Sequence, residues 1–273
     1  MSQPTVRPID VRPVAERLPA SASLDVSALH HRIGEGMRAL AQRVYTTFPL
    51  APHEAARPFR SYASPDGAME GRLEAFSGAP LDWVIDSFIA NPRHGFCNHH
   101  LTLWLDESVS VPHLAFAVGT IPQLFFFCDL VPRSDLWVNT TELDRFHARF
   151  NERALAVAAD PRFRPFVSRE IYIRQAISPV GICIEGDATP EAIDFVLGLA
   201  GDTLGPWLDW VKSAEPTPRS ERPALRERDE RVRRTICWRD PANVVAERVL
   251  GKTMTDDLVR LLSGEARRKG TMQ

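Results

Sequence analysis

The chain has 273 residues, 44% of them hydrophobic and 25% charged, with a formal net charge of −2 at pH 7. That length supports a well-buried core. The near-neutral balance excludes general attraction to nucleic acid or to an anionic membrane, so any charged partner must meet a local patch.

Residues 1–23 are rich in Pro, Arg and Ser and show no hydrophobic period. They read as a mobile arm, with residues 24–273 as a single domain. The arm lacks the apolar run of a secretory signal, and no stretch reaches the ~20 apolar residues that cross a bilayer. The four cysteines, Cys97, Cys128, Cys183 and Cys237, form no C-x-x-C pair. A disulfide framework is not expected, and a reducing cytoplasm is the expected location.

From Asp25 onward, Leu29, Ile33, Met37, Leu40 and Val44 recur at spacings of three and four, predicting a helix that carries His30 and His31. Prolines and a glycine punctuate residues 48–67, which form a connection. Three strands follow over 100–107, 113–121 and 123–131. Their short links require antiparallel neighbours, since a parallel crossover needs a dozen or more residues. Asn139 or Thr140 caps a helix, with Glu142 positioned for a capping box. Two further strands are predicted over 171–178 and 181–187. Thr189 and Pro190 then open a long helix that Pro206 should kink. Residues 215–235 alternate arginines with acids and read as a solvated helix or linker; docking an acidic partner is the sharper alternative. A last amphipathic segment holds Val244, Val245, Val249, Leu258, Leu261 and Leu262. The fold class is α+β: an α/β/α sandwich with a central antiparallel sheet flanked by helices, because the strands are apolar on both faces.

No G-x-G-x-x-G, Walker loop, G-x-S-x-G or H-E-x-x-H is present. The segment HGFCNHH gathers His94, Cys97, His99 and His100. Adjacent strand residues face opposite ways, so His99 and His100 do not share a ligand and no metal is expected. On the strand over 100–107, His100, Thr102, Trp104 and Asp106 share one face; on the next, His113, Ala115, Ala117 and Gly119 do. Small side chains on that second strand leave room for a bulky ligand or an aromatic ring.

The segments VPHLAFAVG, CDLVPRSDLWVN, PFVSREIYIRQAISP and WRDPAN occur in this order over about residues 80–262. They resemble red chlorophyll catabolite reductase and, beyond it, the ferredoxin-dependent bilin reductases. The resemblance implies an α/β/α sandwich without flavin, metal or nicotinamide, no bound cofactor at all, and one-electron transfers from ferredoxin to an open-chain tetrapyrrole. It leaves a homodimer open. Side chains would supply the protons, because adding an electron to a conjugated pigment creates an anionic radical that a nearby acid must quench. Aligned on Pro112, the bilin reductase histidine falls on His100. The carboxylate of the next strand falls on Ala117 and is missing. The loop aspartate before the C-terminal helix falls on Asp240. A shared arginine falls on Arg174.

The resemblance casts His100 and Asp240 as catalytic and Arg174 as binding substrate; Trp104, His113 and Ala117, on the two strand faces, are the further substrate-binding candidates. Each has a structural reading beside it. Asp240 before Pro241 is a standard helix start, and Arg174 could pair with Asp129 or Glu185. His113 could order a strand entry, Trp104 could be core, and Asp129 with Arg133 could hold the DLVPRSD turn. The missing carboxylate leaves two other functions open: a redox-neutral, cofactor-independent lyase or isomerase acting on an aromatic metabolite, and a pigment-binding protein without turnover.

Overall fold

The computed structural model describes residues 27–121 and 123–269. The expected arm over 1–23, and the helix start at Asp25, lie outside them. Helix α1 (Ser27–Thr47) buries His30, Ile33, Met37, Leu40, Ala41 and Val44, the apolar stripe expected of a helix laid on a sheet.

Nine strands follow among the described residues: β1 (Ala51–Pro52), β2 (Tyr62–Ala63), β3 (Glu70–Gly78), β4 (Leu81–Asn91), β5 (Phe96–Leu105), β6 (His113–Ile121), β7 (Gln123–Val131), β8 (Phe163–Pro165) and β9 (Ile182–Gly186). They form one sheet in the order β1-β3-β4-β5-β6-β7-β9-β8, with β2 added on β3. Every pairing is antiparallel.

The two faces are packed differently. Leu101, Leu103, Phe116, Val118 and Phe126 point to one side and are sealed by α1 and by α5 (Pro190–Lys212). Full burial of each such side chain stabilises by ~1.5–3 kcal/mol. We call this the rear face. On the front face, Trp83, Ile85, Trp104 and Ala115 join a second cluster with Leu250, Leu258 and Leu261. These come from α7 (Ala242–Leu250) and α8 (Lys252–Leu262), and Val232 and Ile236 of α6 (Arg222–Arg239) pack against the same cluster, so the three C-terminal helices cover this side. Trp83 pins α8 by donating from Nε1 to the Leu261 carbonyl at 2.7 Å.

Several expectations need correction. Residues 171–178 form no strand. Instead a short helix, α4 (Ile171–Arg174), closes with Arg174 N donating to the Glu170 carbonyl at 3.1 Å. The reason is topological: both edges of β9 are already taken, by β7 and β8, so this β-prone stretch cannot pair with the strand that follows it. Strands β3 and β4 went unread because Glu74, Asp82 and Asp86 interrupt their hydrophobic pattern. The helix capped by Asn139 is broken: α2 (Thr140–Glu142) passes through a π turn and a 3₁₀ turn before α3 (Asn151–Ala159).

The arginine-rich stretch is also not simply solvated. Asp229 and Arg233 of α6 are buried. Asp229 Oδ2 accepts from Arg133 Nε at 3.0 Å, and its Oδ1 lies 3.1 Å from His113 Nε2. Burial alone would raise the Asp229 carboxyl; His113 and the Arg133 guanidinium outweigh it and hold it low. Arg133 also donates to the carbonyls of Val109 and Asp106, and its backbone N–H donates to Glu142. This knot ties α6 to the β5–β6 connection and to the turn after β7.

Candidate active site

The middle of the front face is not filled. On β5 the residues directed to the rear, Cys97, His99, Leu101 and Leu103, are buried, whereas Asn98, His100 and Thr102 keep part of their surface exposed. The same alternation appears on β7, where Phe126 is buried and Phe125 and Phe127 are half-exposed. These partly exposed side chains on central strands show that this stretch of the front face, His100 included, is not fully covered by the helices. In the ladders, His100 pairs with Ser87 on β4 and Ala117 on β6; Ala117 in turn pairs with Phe127, and Phe127 with Cys183.

Small residues on β6 were expected to leave room. Part of it is taken: a Cβ on Gly119 would lie 2.6 Å from the Phe125 ring and 2.0 Å from the Cys97 carbonyl oxygen. Glycine there lets two backbones and an aromatic ring meet closely. Ala117 is buried under the same aromatic wall. Phe125 and Phe127 therefore belong to the site, although the sequence reading passed over them. Period-two alternation along LFFFCDLV was the signal that separates them from the core Phe126.

His100 is half-buried, and burial together with neighbouring His99 pushes its pKa down to about 4. It is neutral at pH 7. Its Nε2 stands 3.4 Å from Asn98 Nδ2. His99 points to the rear, where its Nε2 lies 2.8 Å from Asp86 Oδ1, so the two adjacent histidines occupy different faces.

Asp240 ends α6. Val232 and Ile236 of that helix pack into the front-face cluster, and Asp240 is the extended residue that caps its C-terminus. Its Oδ1 accepts the Ala242 N–H at 2.8 Å, closing the turn into α7, so its expected capping geometry is present. Burial nevertheless raises its pKa, against the lowering effect of that bond. Asp240 and His100 are not hydrogen-bonded to each other among the described residues.

The remaining candidates lie elsewhere. His113 and Trp104 share the front face, with ring centroids 4.7 Å apart, but both are buried. Burial pushes His113 to about 4, and its Nδ1 accepts from Leu105 N at 3.0 Å. Its ring fastens β5 to α6 rather than lining an open surface. Arg174 is exposed on α4 and donates to the Ser168 carbonyl at 3.3 Å; it pairs with neither suggested acid. Glu185 takes Arg164 instead. Asp129 accepts Ser178 N at 2.9 Å and the Ser178 hydroxyl. It therefore holds the turn before β9, not its own. Burial pushes Asp129 up to about 6 even against those two bonds.

Exposed apolar side chains collect where α4 meets the end of α6. Ile171, Tyr172, Trp238 and Val244 are all exposed, and the Arg239 guanidinium lies 4.5 Å from the Tyr172 ring centroid. Two other clefts open elsewhere, one of about 550 Å³ lined by Asp82, Arg226 and Arg233 and one of about 580 Å³ lined by Tyr45, Arg72 and Asp86. Neither includes His100 or Asp240.

A profile of the red chlorophyll catabolite reductase (RCC reductase) family matches residues 30–263. The chain belongs to the red chlorophyll catabolite reductase family. Membership makes it an enzyme of the reductase type. The chloroplastic red chlorophyll catabolite reductase of Arabidopsis thaliana is 25% identical over 233 residues, 78% of this chain and 73% of that protein. The Hordeum vulgare red chlorophyll catabolite reductase is 25% identical over 142 residues, 47% of this chain and 69% of its counterpart. Among solved structures, the fold matches tomato phytochromobilin synthase in complex with biliverdin. The TM-score is 0.74 at 16% identity, covering 87% of this chain and 84% of that one. The likeness confirms the α/β/α sandwich with its antiparallel sheet. In this family member, His100 stands on the sheet face covered by the C-terminal helices, and Asp240 at the junction of two of those helices.

Proposed function

We propose that the chain is a ferredoxin-dependent reductase of an open-chain tetrapyrrole, with Asp240 carrying the transferable proton and His100 present as neutral imidazole. The observation that carries this reading is the opposite displacement of the two groups. Burial lowers His100 to about 4 and raises Asp240. His100 is thus unprotonated at neutral pH, and Asp240 holds its proton more tightly than a free carboxyl does, the two directions a proton-transfer step uses.

The chemistry follows from that pairing. Each electron from reduced ferredoxin makes the conjugated pigment anionic. Asp240 gives up its proton to that anion and is reprotonated from solvent. Two such electron–proton additions saturate one double bond. His100 accepts or relays a proton without carrying a charge in the resting site. Phe125 and Phe127 offer flat faces to a conjugated ligand. Arg174 and Arg239, beside the exposed Tyr172 and Trp238, suit the acidic side chains of such a pigment. The biliverdin bound to the tomato enzyme supports a linear tetrapyrrole as the substrate class.

The test is anaerobic mixing of the purified protein with biliverdin or a red chlorophyll catabolite, ferredoxin and a reducing system. Bleaching or a shift of the pigment spectrum, dependent on ferredoxin, is the expected result. A second reading follows from the resemblance, which places the carboxylate of the next strand at Ala117; without it, one acid of the reductive machinery would be missing. A redox-neutral lyase or isomerase step needs only Asp240 and His100. Turnover without any electron donor would select it, and unaltered pigment recovered after long incubation would select a binding protein.

A further inference from the structure

One unsatisfied group stands beside His100. The Oδ1 atom of Asn98 is buried and has no hydrogen-bond partner, while its Nδ2 lies 3.4 Å from His100 Nε2. Asn98 precedes His100 by two residues on β5 and so shares its face. The neighbours of this pair in the ladders are Ile89 and Gly119 for Asn98, and Ser87 and Ala117 for His100. None of these side chains titrates, and among them only the Ser87 hydroxyl could donate a hydrogen bond. A buried carbonyl oxygen left without a donor is destabilising, and such atoms call for an explanation.

We propose that Asn98 is a positioning residue that both fixes the tautomer of His100 and offers its orphaned Oδ1 to an N–H group of the ligand, such as a pyrrole or lactam N–H. The inference deepens the tetrapyrrole reading and, in its ligand half, rests on it. An amide N–H directed at His100 Nε2 requires that nitrogen to accept, so the imidazole proton sits on Nδ1. An isolated neutral histidine prefers the proton on Nε2, so the assignment is specific. It fixes which edge of the ring presents a donor and which is occupied. The same amide then has one free acceptor, and a linear tetrapyrrole is a molecule whose inner edge is lined with N–H donors.

The experiment has two arms. Nitrogen-15 NMR of the ligand-free protein at pH 7 reports the tautomer of His100 directly, assigned with His100→Gln. The wild type should show Nδ1–H, and Asn98→Ala should revert to Nε2–H. In the second arm, biliverdin is titrated and followed by absorbance. Asn98→Ala should bind roughly ten-fold more weakly. Asn98→Asp keeps an acceptor but loses the donor; it should shift the His100 proton to Nε2 yet bind biliverdin within about three-fold of wild type. Circular dichroism and melting temperature check that each variant is folded. A wild-type Nε2–H tautomer overturns the positioning role. Equal biliverdin affinity for wild type and Asn98→Ala overturns the acceptor role. Wild type that shows the Nδ1–H tautomer but binds no biliverdin would sink the tetrapyrrole reading and the acceptor role while upholding the Asn98–His100 pair.

Discussion

Replacing Asp229 with alanine should be among the most damaging single changes outside the apolar core. The carboxylate accepts from Arg133 Nε at 3.0 Å, and its other oxygen lies 3.1 Å from His113 Nε2. Arg133 and His113 are 3% and 1% exposed, so neither can exchange the lost partner for water. Removing one member of such a buried pair leaves an uncompensated charge and costs about 3–5 kcal/mol. For a chain of this size each kcal/mol lowers the melting temperature by roughly 2–4 °C, so a fall of about 6–20 °C is expected. Differential scanning calorimetry at pH 7 measures it. The double replacement Arg133→Met with Asp229→Leu should recover much of the loss, because two apolar groups leave no stranded charge. A fall below about 2 °C for Asp229→Ala would refute the claim that this knot fastens α6 to the sheet.

Other consequences concern the two faces of the sheet. His113 is held at about 4 in the folded chain, against an ordinary value of 6.5. A lowered folded value means the unfolded chain binds the proton first, so the stability is fully present above pH 6.5 and is lost as pH falls toward 4. Denaturant titrations over that window should show the decline, and His113→Gln should flatten it. Asp86→Ala should cost about 2–4 kcal/mol, because it removes the rear-face acceptor of Tyr45, His99 and Arg72 at 3.1, 2.8 and 3.1 Å; urea midpoints would register the change. Gly119→Ala forces a methyl against the Cys97 carbonyl and the Phe125 ring. Because the Cys97 carbonyl is backbone and cannot swing aside, it should lower the melting temperature as well as displace Phe125 and weaken pigment binding, which thermal melts and ligand titration on one preparation would show.

Legibility in the sequence followed the clarity of the local pattern. The stripe from Leu29 to Val44, the Thr189–Pro190 helix start and the strands around His113 and Phe126 were readable because each repeats at the period of its element. Strands β3 and β4 were not, because Asp82 and Asp86 sit in an otherwise apolar ladder and are explained only by partners far along the chain. Asp82 accepts from Arg233 Nη1 at 2.9 Å, and Asp86 faces His99. The stretch IYIRQAIS looked like a strand on propensity alone; the absence of a free edge on β9 is a property of the whole sheet. At the site, the placement of His100 and Ala117 in one register follows from alternation and pairing. The Asp229 knot did not, since charge runs on helices are usually solvated, and only the fold brings α6 against the β5–β6 connection. Asn98 was invisible because an unsatisfied oxygen is defined by its surroundings.

The central claim is that Asp240 stores the proton for an electron-loaded tetrapyrrole. Anaerobic single-turnover reduction of biliverdin by photoreduced ferredoxin, compared between the wild type and Asp240→Asn, tests it most directly. The amide variant should still bind the pigment and accept the first electron, with a radical absorbance that persists while product formation slows by about 10²–10⁴-fold. Product appearing at the wild-type rate from Asp240→Asn would contradict it.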